Sequence, residues 1–224
     1  MNPNHHLDLS TLVGYSAGAL SQPLAIVASA HLERCRQCRE RLLDADRIGG
    51  ALVGLQQPAP AAAGAREAML ALLDVEPTPA KPTALAPAAL DLVDPHDSDR
   101  LPGVLEPWFG RSLRALRWRW VAPGVHRILA KGISGGELML LRIAPGSRLP
   151  LHSHQGNELT LILDGAYQDM LGHFGPGDVA DLDGQVQHQP VTAAGVPCIC
   201  VAALDAPLRF SGPIARVLQP LLGF

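Results

Sequence analysis

The spacing of apolar residues divides this chain into a helical first third and a strand-rich second half. From Leu12 onward, apolar residues recur at intervals of three and four, which is typical of amphipathic helices. Ser10 is predicted to cap a first helix that runs to about Leu20, and Ser21 to cap a second helix with Pro23 in its first turn. The two helices would form an antiparallel hairpin.

Two further helical segments follow the hairpin. A third pattern continues to Val53, and a fourth amphipathic segment covers residues 65–75 between stretches rich in proline and alanine. A short helix on such a tether needs a groove to be stable. The pattern leaves open whether this helix docks on the rest of the chain or helps to grip a partner protein.

From about Arg100 the apolar pattern changes to short runs rich in Val, Ile, Leu and Trp, separated by Gly, Pro and Asp. Many short strands at regular spacing predict a β-sandwich or barrel. The strands are expected at residues 113–120, 125–130, 137–143, 158–163, 179–182, 198–203 and 208–210. The chain is therefore predicted to be a two-domain α + β protein, with a helical domain at 1–76, a Pro/Ala-rich linker at 77–99 and a β-domain at 100–224.

Composition narrows the function classes. The 224 residues carry a formal net charge of −3, which gives no basic surface for nucleic acid. No apolar run reaches the roughly 18 residues of a membrane span. The apolar stretch at residues 13–30 lacks a positive start and contains Pro23, so it does not read as a signal peptide. We therefore expect a cytoplasmic protein with neither membrane nor direct nucleic-acid contact.

The first chemical motif lies at the end of the second predicted helix. His31, Cys35 and Cys38 stand at positions i, i+4 and i+7, so that on a helix they point in nearly one direction. Sulfur and nitrogen ligands together suit a structural, tetrahedral Zn²⁺. The fourth ligand is expected to be His6, with His5 as the alternative. A redox CxxC pair normally opens a helix after a strand, which is not the pattern here.

The second motif lies in the strand-rich half. His152 and His154 are two residues apart on a predicted strand, so both face the same side, and Glu158 begins the next strand. Two imidazoles and a carboxylate are ligands for a divalent ion such as Zn, Fe, Mn, Ni or Cu. We expect these three side chains to form a metal site on the inner wall of the β-domain.

This stretch resembles the cupin family, whose first motif is G(X)5HXH(X)3,4E(X)6G. The family's second motif implies one further histidine ligand, which falls on His188. The proline that usually precedes Gly184 and the asparagine that usually follows the histidine are both absent. The resemblance implies a cupin-type antiparallel β-barrel, or jelly roll. The matched positions of the first motif are Gly146, His152, His154, Glu158 and Gly165.

The two motifs together resemble the ChrR family of zinc-containing anti-sigma factors. The resemblance covers almost the whole chain except residues 55–100. It implies a zinc-bound helical domain that binds and inhibits an extracytoplasmic-function (group IV) sigma factor. It also implies a cupin domain that binds a second divalent metal, with zinc as first choice, and senses oxidative stress such as singlet oxygen. The implied ligands are His6, His31, Cys35 and Cys38 for zinc, and His152, His154, Glu158 and His188 for the cupin metal.

On this interpretation the chain is not an enzyme and has no catalytic residues. The main alternative is a cupin metalloenzyme of the dioxygenase or isomerase type with an accessory zinc domain. No further titratable cluster accompanies the four cupin ligands in the sequence, which disfavours this alternative. Cys198 and Cys200 share one face of a predicted strand and are expected to be buried as small apolar residues.

Overall fold

The computed structural model describes residues 3–73 and 99–210, with the backbone alone at 208–210. Met1–Gly50 and Ser98–Phe224 form one compact unit, and Ala51–Asp97 form another. The predicted linker at 77–99 lies outside the described residues except for Asp99, and so does His96. The predicted division at 1–76 and 100–224 therefore stays a prediction.

The first third of the chain is helical, as its apolar spacing predicts. After the described residues resume at Asp99, a 3-10 turn at Gly103–Leu105 leads directly into a short fifth helix. The helices are α1 (Leu9–Ser16), α2 (Gln22–Arg34), α3 (Arg36–Gly54), α4 (Ala65–Leu73) and α5 (Glu106–Phe109).

The start of α1 differs from the expectation. The residue at the N-cap is Asp8 instead of Ser10, and its backbone N–H donates to the Asp181 carboxylate at 2.9 Å. The helix ends at Ser16 because the chain turns at Gly18, where φ is +65° and a side chain would be strained. The start of α2 agrees with the prediction, since Ser21 is the N-cap.

The CxxC pair does not lie on one continuous helix. Cys35 has extended backbone angles of φ −100° and ψ 105° at the C-cap of α2, and α3 begins at the next residue. His31 therefore belongs to α2, Cys35 to the break and Cys38 to the first turn of α3. The change of direction at Cys35 brings the three side chains together, so the i, i+4, i+7 argument was right about convergence but wrong about the backbone.

The second half is antiparallel throughout the pairings described. A six-stranded sheet has the order β1-β2-β3-β11-β5-β8, and two three-stranded sheets have the orders β10-β6-β7 and β12-β4-β9. The strands are β1 (Arg119–Ala122), β2 (Val125–Leu129), β3 (Glu137–Ile143), β4 (His152–His154), β5 (Glu158–Asp164), β6 (Tyr167–Asp169), β7 (Gly172–Phe174), β8 (Val179–Leu182), β9 (Gln187–His188), β10 (Val191–Thr192), β11 (Cys198–Leu204) and β12 (Leu208–Phe210).

The predicted strand at 113–120 exists only as its last two residues, at the start of β1. Leu113, Leu116 and Trp118 instead pack on the core from an irregular segment. Their apolar character reflects burial, which a single-sequence pattern does not separate from strand formation.

Strand β5 is buried on both faces, because α2 packs on one face of the six-stranded sheet and a second apolar cluster lies on the other. Leu159, Leu161 and Leu163 belong to the cluster that contains the buried residues of α2, whereas Ile162 belongs to a separate cluster on the opposite face. The two faces alternate with the period of two that a strand dictates. Helix α2 thus packs directly on β5 and β11, and the chain from Leu7 to Cys38 shares one core with the sheet.

Two candidate metal centres

The first centre gathers His6, His31, Cys35 and Cys38, whose candidate ligand atoms all lie within 4.8 Å of one another. His6 Nδ1 lies 3.2 Å from Cys35 Sγ, and His31 Nε2 lies 3.3 Å from Cys38 Sγ. In a tetrahedral site with Zn–S near 2.3 Å and Zn–N near 2.0 Å, sulfur and nitrogen are roughly 3.5 Å apart. The four side chains therefore fit a zinc ion.

Burial sets the protonation state of this centre. His31 is fully buried, and burial lowers its pKa to about 4, so its imidazole is neutral at physiological pH. Burial raises the pKa of Cys38 to about 11. A thiolate at Cys38 therefore requires a cation beside it, which is the condition that bound zinc satisfies.

The other nitrogen of His31 contacts the turn between β7 and β8. Its Nδ1 lies 3.0 Å from the carbonyl oxygen of Gly177, and an N–H donated to that oxygen leaves the Nε2 lone pair facing the cysteines. The orientation of His31 is thus fixed by a residue from the β-sheet half of the chain.

Asp178, in the same turn, holds the segment that carries His6. One carboxylate oxygen accepts the backbone N–H groups of Asn4 and His5 at 2.6 and 3.0 Å, and the other accepts the N–H of Gly175 at 2.9 Å. Asp178 is buried, so these three donors replace the water that its charge would otherwise need. His6 therefore reaches the centre from a segment tied to the β7–β8 turn.

His5, the alternative fourth ligand, lies outside this group. Its ring stacks on Phe174 with a centroid separation of 4.0 Å, and its Nε2 lies 3.0 Å from the carbonyl oxygen of His173. Phe174 in turn stacks on Tyr167, its cross-strand partner, at 4.9 Å. His5 therefore anchors the chain start to the β6–β7 hairpin.

The second centre gathers His152, His154, Glu158 and His188, all buried, with candidate ligand atoms within 4.8 Å. His152 and His188 are directly opposite each other where β4 pairs with β9. Glu158 begins β5 in the six-stranded sheet, so the turn at 155–157 brings ligands from two sheets together. The glycine that closes the first cupin motif has a local reason: Gly165 has φ +69°, and a Cβ there would overlap the carbonyl oxygen of Pro197.

The hydrogen bonds around this centre leave lone pairs pointing inward. His152 Nδ1 donates to the carbonyl oxygen of Pro150 at 2.9 Å, and His188 Nδ1 donates to the Asp169 carboxylate at 2.9 Å. The two Nε2 atoms then lie 3.0 Å apart. Two bare lone pairs at that separation repel unless they share a proton or a metal ion, so these tautomers suit a metal.

The remaining two side chains of this centre, His154 and Glu158, also suit a metal ion. Neither ring nitrogen of His154 has a hydrogen-bond partner of good geometry among the described residues, although His154 is buried, and its Nδ1 lies 2.9 Å from Glu158. Burial alone would raise the pKa of Glu158, but the close contact with His154 and the charges of His154, His152 and His188 lower it to about 2. The carboxylate is therefore ionised at physiological pH, as a metal ligand requires.

Some functional residues had no signal in the sequence motifs. Asp169 orients His188 from β6, and Asp178 ties down the first residues of the chain, yet neither belongs to a ligand spacing. The sequence Gly175-Pro176-Gly177-Asp178 marks a turn, and that turn signal was the only available indication. The contact of Asp169 joins residues 19 positions apart in sequence, and the contact of Asp178 joins residues 174 positions apart. Local sequence patterns do not reveal contacts at such separations.

Cys198 and Cys200 are both buried, with no disulfide among the described cysteines. The hydrogen bond between the two thiols and their burial raise the pKa of Cys200 well above its usual value. His126 on β2 and His173 on β7 lie outside both centres.

Helices α1 and α3 carry apolar side chains that no described residue covers. On α1, Leu9 and Val13 are exposed one turn apart. On α3, Ile48 is 64% exposed. Exposed apolar side chains on helices are typical of protein interaction surfaces. We call Leu9, Val13 and Ile48 the exposed helical face.

None of the helices within 3–73 and 99–210 has both the length and the apolarity that crossing a bilayer requires.

Comparison with known proteins gives a consistent picture. Residues 110–206 match the family model of the ChrR cupin-like domain. The anti-sigma-E factor ChrR of Cereibacter sphaeroides is 36% identical over 222 residues, which is 98% of this chain and 98% of that protein.

Among solved structures, Rhodobacter sphaeroides SigE in complex with the anti-sigma ChrR matches with a TM-score of 0.68 and 32% identity, over 91% of this chain and 99% of the matched chain. An RmlC-like cupin protein from Ralstonia eutropha matches at 20% identity with a TM-score of 0.40, over 44% of this chain and 68% of that one. Since the similarity to ChrR extends over nearly the full length of both proteins, this chain belongs to the ChrR family.

Proposed function

We propose that this chain is an anti-sigma factor, which binds an extracytoplasmic-function sigma factor and keeps it inactive. The observation that carries the proposal is the full-length similarity to ChrR, at 36% identity over 98% of both chains, together with the match to the SigE–ChrR complex. A partner sigma factor also provides a cover for Leu9, Val13 and Ile48 of the exposed helical face. The sigma factor works in the cytoplasm, which is therefore the proposed location.

The proposed metal of the first centre is zinc, held by His6, His31, Cys35 and Cys38. Bound zinc would link the chain start, the end of α2 and the start of α3, and so fix α3 against α2. Because Ile48 lies further along α3, zinc would position a residue that faces the sigma factor.

The proposed role of the β-sheet half is to sense an oxidative signal of the singlet-oxygen type through a second divalent ion, zinc by first choice. The ion would be held by His152, His154, Glu158 and His188 on the inner wall of a cupin barrel. What supports the role is the physical connection between the centres: His188 is held by Asp169 on β6, and the β6–β7 hairpin stacks on His5. A change at the cupin ion therefore has a short route to the zinc ligands. The metalloenzyme alternative loses support, because the full-length relative is an anti-sigma factor.

The test is co-expression with the sigma factor encoded beside this chain, followed by size-exclusion chromatography and metal analysis. We expect a one-to-one complex with two metal ions per chain of the anti-sigma factor. The double variant Val13→Glu with Ile48→Glu should abolish the complex. Met170→Glu is the control, because Met170 is more exposed than either residue, at 79%, and lies on the β6–β7 hairpin. A complex that survives the double variant would contradict the assignment of the exposed helical face, and the absence of any complex would contradict the anti-sigma proposal.

A further inference from the structure

The sheet half contains a partly open apolar cavity of about 150 Å³ that reaches the second metal centre. Met139, Cys200, Ala202 and Leu204 form its buried floor on β3 and β11. These residues alternate with the ones that face α2, so the cavity occupies the other side of the same sheet.

One end of the cavity is formed by three of the four candidate metal ligands. His152, Glu158 and His188 line it, whereas His154 does not. Half-buried and exposed side chains also line the cavity, among them Val125 on β2 and Leu149 and Pro150 before β4. A small molecule that enters past these side chains reaches the metal centre.

The polar side chains around the cavity make hydrogen bonds within the chain, with the exception of one hydroxyl. Thr160 donates its hydroxyl proton to Glu158 at 2.6 Å, and Thr192 donates to the carbonyl oxygen of Ala144 at 2.7 Å. Tyr167 also lines the cavity and is only 4% exposed, yet its hydroxyl has no hydrogen-bond partner among the described residues. A buried hydroxyl without a partner destabilises the folded chain. A ligand that accepts this hydrogen bond removes that destabilisation.

We propose that the cavity is a binding site for a small neutral molecule of six or seven non-hydrogen atoms, with an apolar body and one acceptor oxygen that takes the hydrogen bond of Tyr167. The size follows from the volume, since a dry apolar cavity of about 150 Å³ accommodates benzene. The acceptor follows from the uncommitted hydroxyl. A bound molecule would also touch His152, Glu158 and His188, so its presence and the state of the metal centre would depend on each other.

The site can be tested on the isolated full-length chain, so the result does not depend on the anti-sigma proposal. The probes are cyclohexanone and its isostere methylenecyclohexane, which has the same shape without the acceptor oxygen. Binding is measured by ligand-observed NMR with competition between the two. We expect both to bind saturably, with cyclohexanone tighter by about three- to ten-fold, the usual gain from one hydrogen bond. No saturable binding of either probe would overturn the proposal.

Variants locate the binding and the hydrogen bond. Val125→Trp should fill the cavity and abolish binding of both probes, and Ala122→Leu at the neighbouring lining position serves if that variant fails to fold. Leu129→Trp is the matched control, because Leu129 lies on the same strand but is exposed and does not line the cavity. Binding that survives both of these variants lies elsewhere and overturns the proposal.

Tyr167→Phe should leave methylenecyclohexane binding unchanged and remove the preference for cyclohexanone. The same competition is repeated after the metal has been removed with a chelator. A preference that survives Tyr167→Phe and disappears with the metal would place the acceptor oxygen on the metal ion, and would overturn the role assigned to the tyrosine hydroxyl.

Discussion

Nδ1 of His31 lies 3.0 Å from the carbonyl oxygen of Gly177, although 146 residues separate the two in sequence. A candidate zinc ligand at the end of α2 is therefore oriented by a turn of the sheet half. Asp178, the next residue, holds the backbone of Asn4 and His5 beside the fourth ligand. The proposed zinc site thus depends for its geometry on residues that do not contact the ion.

Replacing Asp178 by Ala should weaken zinc retention at the first centre. The substitution removes the acceptor for two backbone N–H groups next to His6, so the fourth ligand loses its anchor. Residues that orient metal ligands typically contribute about 10- to 100-fold in affinity, and we expect a value near the lower limit because Asp178 acts through the backbone. Zinc transfer to a colorimetric chelator measures the effect. Asp183→Ala is the control, since Asp183 is exposed and holds only the N–H of Gln185. Equal zinc transfer from both variants would show that the anchor is not needed.

Replacing Cys35 and Cys38 together by Ser should remove one metal ion per chain and abolish sigma-factor binding. Loss of both thiolates leaves two histidines, which are too few for a structural zinc site. The change in affinity for the sigma factor is expected to exceed about 100-fold, because metal binding and local folding are linked. Metal analysis and a pull-down on the same preparation measure both effects. Cys198→Ala should retain the first metal ion and the complex, and an intact complex with the double Ser variant would rule out the structural role.

Replacing Asp169 by Ala should release the cupin ion selectively. The variant leaves Nδ1 of His188 without its acceptor, so the imidazole loses both its orientation and its fixed tautomer. We expect about a 10- to 100-fold loss of affinity at the second centre, with the first centre unchanged as an internal reference. Asp169→Asn keeps an acceptor oxygen and should lose less. Stepwise chelation followed by elemental analysis separates the two ions, and equal loss from both centres would contradict a local effect.

Replacing Asp181 by Asn should stabilise the chain at neutral pH. Burial is the main cause that raises the pKa of this carboxyl, with the charges of Asp8 and Asp183 adding to it. A raised pKa means that the folded state binds the proton more tightly than the unfolded state. The native Asp181 therefore contributes most to the stability of the folded chain below the unfolded pKa near 4. This contribution is lost as the pH rises through the folded pKa. The amide retains an acceptor for the N–H of Asp8 without the charge.

The gain in melting temperature from Asp181→Asn is expected to be about 1–3 °C at pH 7 and to vanish near pH 4. Thermal unfolding at the two pH values tests this expectation. Asp164→Asn serves as control, because Asp164 is exposed at the end of β5. A gain that is equal at both pH values would show that the effect does not come from ionisation.

Local patterns predicted most of the longer helices and strands and the spacing of the candidate ligands, but not how the elements meet. Helix periodicity predicted α2 and α3, and alternation on β4 predicted that His152 and His154 share a face. The break at Cys35 was missed because three residues at helical spacing look the same whether or not the backbone turns between them. The contact of α2 with β5 was also missed, since burial on both faces of a strand gives a continuous apolar run that does not identify its neighbours.

The short strands β6, β7, β9 and β10 escaped detection for another reason. Each has only two or three residues, which is too short for a period of two to be recognised. Some of them are held by partners far along the chain, such as His152 opposite His188. Asp169 and Tyr167 are on β6, so the group that orients His188 and the uncommitted hydroxyl in the cavity were both out of reach of the sequence pattern.

The double burial of β5 limits how this protein can be rearranged. The leucines of β5 pack against α2, and Glu158 and Thr160, which alternate with them, face the cavity. A chimera that joins residues 1–73 to a different cupin would therefore need leucine-like side chains at positions 159, 161 and 163 of the recipient strand. Without them, Val27 and Ala28 of α2 would be left exposed to water. The helical and sheet halves can accordingly be exchanged only as a matched pair. Homologous recombination within the chain is expected to tolerate crossover points outside α2 and β5 far better than points that separate them.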